Sequence, residues 1–101
     1  MPEPDGPSYQ VHASGEIAKI LRQIRRRAGQ EGRGEQVIAA LRELHRRLAF
    51  APSTAGEPLY RLPALALAVR TIAVLPLVVD FAVSEERSLV FIKSVKLLSK
   101  R

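Results

Sequence analysis
The apolar pattern changes period once, near residue 58, and no other feature constrains the fold as tightly. Before that point the spacing is helical. Ser14 is a good N-cap, and Ile17, Ile20, Leu21, Ile24 and Ala28 recur after it on one stripe, with Arg22, Arg25 and Arg26 mostly opposite. Gly29, Gly32 and Gly34 break this helix and form a short loop. A second stripe follows, Val37, Ile38, Leu41, Leu44 and Leu48, and ends before Pro52. Two helices around a glycine-rich turn predict a helical hairpin.

After a Pro/Ser/Thr/Ala/Gly loop at 51–58 the period becomes two. Leu65, Leu67 and Val69 alternate with smaller or charged residues, as do Leu77, Val79, Phe81 and Val83; Leu89, Phe91 and Val95 share a parity with Lys93. Leu75-Pro76 marks one turn, and Ser84-Glu85-Glu86-Arg87 a polar hairpin connection. Strands are expected near 65–74, 77–84 and 88–96, with a weak short strand at 8–13. The stretch from Leu59 to Val74 is long for one strand, so a bend or bulge is expected near Arg70-Thr71. The predicted architecture is α+β, a two-layer sandwich of order β-α-α-β-β-β, with an antiparallel sheet covered on one face by the helical hairpin. Arg70, Asp80 and Ala82 are expected on the open face. Ile20, Ile24, Leu41, Leu44, Val79, Phe81 and Phe91 are the expected core.

Composition narrows function by exclusion. A chain of 101 residues is one small domain, expected over 8–101 after a disordered tail at 1–7. The absence of cysteine excludes disulfides, thiolate metal sites and a Cys nucleophile, and fits a reducing, cytoplasmic setting. His12 and His45 are the only histidines, so no metal site is expected. Leu62–Val83 is apolar enough to raise the membrane question, but Pro63, Arg70, Pro76 and Asp80 interrupt it. Gly29-x-x-Gly32-x-Gly34 follows no strand, so it is not a nucleotide loop, and no small-molecule cofactor is expected. The net charge of +6 is densest in the first helix and in the tail Lys93, Lys96, Lys100 and Arg101. Such a distribution points to phosphate or to an acidic partner.

Gly56-Glu57-Pro58-Leu59-Tyr60-Arg61-Leu62, the strand Leu77–Val83, its charged turn and Leu89-Val90-Phe91-Ile92-Lys93-Ser94-Val95 carry a resemblance. With this element order and basic balance, the chain resembles the RelE/ParE superfamily of bacterial toxins over roughly residues 8–98. The resemblance implies the toxin of a type II toxin–antitoxin pair. Growth would be inhibited through translation (mRNA or the ribosome) or through DNA gyrase, and the partner would be a small cognate antitoxin. Ribonucleases of that superfamily carry a basic residue near the start of the third strand, where Leu77 or Val78 stands here, and Arg, His or Tyr after the fourth, where Leu97-Leu98-Ser99 stands.

Metal-free RNA cleavage needs a base, an acid and cations for the phosphorane. Tyr60 is the candidate acid, and Arg61, Arg70, Lys93 and Lys96 the candidate cations; the plainer reading makes Arg61, Lys93 and Lys96 edge charges that keep a sheet soluble. Arg22, Arg25, Arg26, Arg27, Lys96, Lys100 and Arg101 are the candidate phosphate contacts. His12 reads as an edge residue, His45 as a solvated one, and Asp80 as a cross-strand partner of Arg70. The expected behaviour is weak or absent ribonuclease activity with salt-sensitive nucleic-acid binding. The alternative is a non-catalytic basic domain of the same fold that binds nucleic acid or protein.

Overall fold
The computed structural model describes residues 9–99. The expected tail at 1–7 and the candidates Lys100 and Arg101 lie outside them. Strand β1 spans Gln10–His12, helices α1 and α2 span Gly15–Gln30 and Gly34–Phe50, and strands β2 to β5 span Glu57–Leu62, Leu67–Val74, Leu77–Ser84 and Leu89–Leu97. The fold is α+β, with the helical hairpin packed on one sheet.

Ser14 caps α1 by accepting a hydrogen bond from the Ile17 N–H at 3.1 Å. The other end closes in a Schellman turn. The Arg33 N–H donates to the Ala28 carbonyl at 2.7 Å and the Gly32 N–H to Gly29 at 3.3 Å, with Gly32 at φ +75°. Gly29 is therefore helical, and the predicted three-glycine loop shrinks to residues 31–33. Arg33, one of the few buried charged residues, pins this turn to the sheet. Its Nη1 donates to the Leu98 carbonyl at 3.0 Å, and its Nε and Nη2 donate to Glu31, Nε at 3.0 Å. The helix α2 buries Val37, Ala40, Leu44 and Leu48. This corrects the predicted stripe: Ile38 is exposed, because Val37 and Ala40 face the sheet and turn Ile38 outward.

The sheet has five strands in the order β1-β5-β4-β3-β2. β1 runs parallel to β5, and the remaining neighbours are antiparallel, so the sheet is mixed rather than antiparallel throughout. The connection between these parallel partners runs through the helical hairpin and then strands β2 to β4. The single bent strand expected over Leu59–Val74 is two strands. Pro63 lacks a donor N–H, and a 3-10 turn at Pro63–Leu65 ending in left-handed Ala66 folds β2 back on β3. The irregularity expected near Arg70-Thr71 is carried by the partner strand, between Pro58 and Tyr60, opposite Arg70 and Val69.

A second bulge corrects the core. Asp80 pairs with Ser94 but Phe81 with Ile92, which leaves Lys93 as an extra residue in β5. Inward parity therefore changes from Val90 and Ile92 to Val95 and Leu97. Leu89 and Phe91 turn outward, and Phe91 is 38% exposed rather than part of the core. The core joins Ile24, Ala28, Val37, Leu44 and Leu48 to Ile72, Leu77, Val79, Phe81 and Val83, with Ile20 and Leu41 half-buried at its margin.

Candidate functional site
The sheet face away from the helices is built in rows, because residues paired across a ladder share a face. The register runs His12–Phe91–Ala82–Val69–Tyr60 from β1 to β2. Aromatic rings stand at both ends and small side chains between them. The His12 and Phe91 rings stack, with centroids 5.9 Å apart and planes 29° apart. Tyr60 is 49% exposed. The next row is polar: Ser94, Asp80, Thr71 and Glu57. Lys96 follows, opposite Val78.

The bulge aims Lys93 along this face. Its Nζ donates to the Tyr60 hydroxyl at 3.2 Å and sits 5.8 Å from the ring centroid, a cation–π contact. Lys93 and Tyr60 together bridge β5 to β2; Ala82 and Val69, on the two strands between, are closed to solvent although on the outer face. The Lys93–Tyr60 hydrogen bond is exposed to solvent.

The sequence candidates divide between two faces. Tyr60, Lys93 and Lys96 come together on the open one. Arg61 and Arg70 lie on the other, since Arg61 pairs with Ala68 and Arg70 with the buried Phe81. They line a cavity of about 260 Å³ with Ser53, Glu85 and Glu86 beside the helical layer. Arg70 Nε donates to the Ala55 carbonyl at 2.8 Å and Nη2 to the Gly56 carbonyl at 3.2 Å. The expected Arg70–Asp80 pair does not form: Asp80 pairs with Thr71 and points to the opposite face. Arg70 was expected outward with it, and backbone carbonyls hold it inward instead.

On α1, Arg22, Arg25 and Arg26 are exposed and make no ion pair among the described residues. Arg27 Nε donates to Glu31 at 3.3 Å. The Arg33 guanidinium first, and Arg27 after it, hold the Glu31 carboxyl below the usual carboxylate range. Exposed His45 borders a shallow groove with Arg25, Ile38, Leu41 and Arg42. Among the described residues no three His, Asp or Glu side chains gather as metal ligands, and no helix is long and apolar enough to cross a membrane.

The chain matches no family model, no curated protein and no solved structure.

Sequence reading placed Asp80 and Ala82 on the open face but missed Phe91, which it expected in the core. The signal was the polar pair Lys93-Ser94 inside an apolar strand, which marks the bulge. The run Leu89-Val90-Phe91-Ile92 is apolar at every position and hides its own parity.

Proposed function
We propose that this chain is a toxin-like domain of RelE/ParE type that acts by holding nucleic acid on its open sheet face rather than by cutting it. The observation that carries this reading is the grouping of Lys93, Lys96, Tyr60, Phe91 and His12 on one face free of helices. Ammonium groups meet phosphates, and flat exposed rings take unpaired bases at little conformational cost. The toxin role rests on the resemblance of the strands, and with it the target, mRNA on the ribosome or DNA gyrase, and the antitoxin partner.

The layout argues against acid–base cleavage. His12 and Tyr60 are the proton-transfer groups of this row, and four strand spacings separate them, about 19 Å. A base and an acid acting on one phosphate must both reach it. Where the superfamily's nucleases carry a basic side chain, Leu77 is buried and Val78 is a hydrocarbon.

A second reading, docking of an acidic protein, is favoured by exposed Ile38 between Arg25 and Arg42. Apolar floor and basic rim suit an amphipathic acidic segment.

The test is expression and binding together. Induction should arrest growth, and co-expression of a small neighbouring gene should relieve it. The purified chain should bind a labelled oligonucleotide with affinity that falls as salt rises, and leave its length unchanged. Cleavage of ribosome-bound mRNA, abolished by Lys93→Ala or Arg61→Ala, would overturn the non-cutting mechanism.

A further inference from the structure
We infer that Asp80 makes the open sheet face a reader of unpaired guanine. The inference rests on the nucleic-acid reading of that face and goes further, naming the base and the atom that selects it. Asp80 lies on the central strand β4, half-buried in the polar row between Ser94 and Thr71. Among the described residues it makes no side-chain hydrogen bond and no ion pair, although its strand neighbours Lys93 and Lys96 are both cations. Lys93 is directed to Tyr60 instead. A carboxylate therefore stands with both oxygens free at the centre of a face that carries Lys93 and Lys96, with the second acid of its row, Glu57, two strands away at the β2 edge.

On a phosphate-binding surface a central acid is costly, because it repels the backbone it sits beneath. It is useful where the ligand brings donors, and an ionised carboxylate offers acceptors only. Among the bases, guanine alone presents two adjacent donors on one edge, N1–H and the N2 amino group, and these match the two carboxylate oxygens as a fork. Adenine presents one amino group beside a bare ring nitrogen, whose lone pair faces the second oxygen. The guanine edge is free only in a single strand, since pairing consumes it in a duplex. The neighbouring row supplies the remaining contact. Phe91 stacked on His12, and Tyr60 beyond the small floor of Ala82 and Val69, offer ring faces for the flanking bases. Thr71 and Ser94 place hydroxyls on either side of Asp80.

The experiment uses the full chain and fluorescently labelled hexamers in ribose and deoxyribose form: all adenine, one central guanine, and one central inosine, which keeps N1–H and lacks the amino group. The guanine hexamer should bind about tenfold more tightly than the all-adenine one, the usual scale of a bidentate base contact, with inosine between them. The preference should appear in both sugars, because the contact is to the base. Asp80→Asn keeps shape and loses one acceptor, and it should bring guanine and adenine to within twofold of each other. Its affinity for the all-adenine hexamer should hold or rise, as one negative charge is gone. An unchanged melting curve confirms that this variant is folded, and Asp80→Ser should repeat the result. Equal binding of guanine and adenine by the unmodified chain, or a preference that survives in Asp80→Asn, would overturn the base-reading role while leaving nucleic-acid binding intact. Failure of every hexamer to bind would overturn both.

Discussion
Gly56 opens β2 at φ +64°, and a Cβ there would overlap the Thr71 carbonyl oxygen of β3. The position needs glycine twice over, for the left-handed backbone and for the close approach of two strands. Gly56→Ala should cost about 1–3 kcal/mol from backbone strain alone, read as a shift in the urea midpoint. The residue stands in the segment that carries the family resemblance, so its presence was visible in the sequence; its steric role was not, because Thr71 is far along the chain. Arg33 illustrates the opposite case. It looks like one more base in a basic stretch, yet it is buried and joins the interhelix turn to the end of β5 through Leu98. Removing its donors takes the hydrogen bond from the Leu98 carbonyl and one of the partners from Glu31, which keeps Arg27, so Arg33→Met should cost about 1–3 kcal/mol by the same measurement.

Each helix is held by its buried stripe and trimmed by surface charge. Leu44 of α2 is 4% exposed within the core, and Leu44→Ala should lower stability by about 2–5 kcal/mol in chemical denaturation. On the outer side, Arg46 Nε and Nη2 and Arg47 Nε donate to Glu43 at 3.1, 2.6 and 2.8 Å. Arg46 above all, then Arg47, pulls the Glu43 carboxyl from its ordinary 4.5 down to about 2. A depressed folded-state pKa favours folding while the group is charged. The contribution is therefore complete above pH 4.5 and is lost as pH falls toward 2. The pair is solvent-facing, so salt should weaken it. Circular dichroism at low salt should show the helix signal declining across that window, with a shallower decline in Glu43→Gln. The helices and β4 were legible because their periods are clean: Leu77, Val79, Phe81 and Val83 alternate without a break. β5 was legible as a strand, expected at 88–96 and found at Leu89–Leu97, but its inward face was not, because one extra residue at Lys93 inverts the parity after it. β2 was merged with β3, because Leu62-Pro63-Ala64-Leu65 has no polar turn residue. The parallel partner of β1 carries no local signal at all, since pairing with β5 spans the whole chain.

At the scale of the molecule the fold separates two basic surfaces. The helical layer carries Arg22, Arg25 and Arg26; the open sheet face carries Lys93 and Lys96 beside its aromatic row. Sequence reading could not sort the strand cations by face, and it expected Arg70 on the open one, because a one-residue bulge and a proline decide which face each strand residue takes. Arg61 and Arg70 went to the helical side, and Lys93 and Lys96 to the open side. The open side is the proposed nucleic-acid face, and salt dependence measures that placement most directly. Each phosphate neutralised on a single strand contributes about 0.7 to the slope of log affinity against log salt. The measurement compares three proteins on one labelled single strand: the unmodified chain, Lys93→Ala with Lys96→Ala, and Arg25, Arg26 and Arg27 all changed to alanine. The slope should fall by about 1.4 in the lysine variant and hold in the arginine variant. A slope unchanged by the lysine changes but lowered by the arginine ones would contradict it and put the binding surface on the helices.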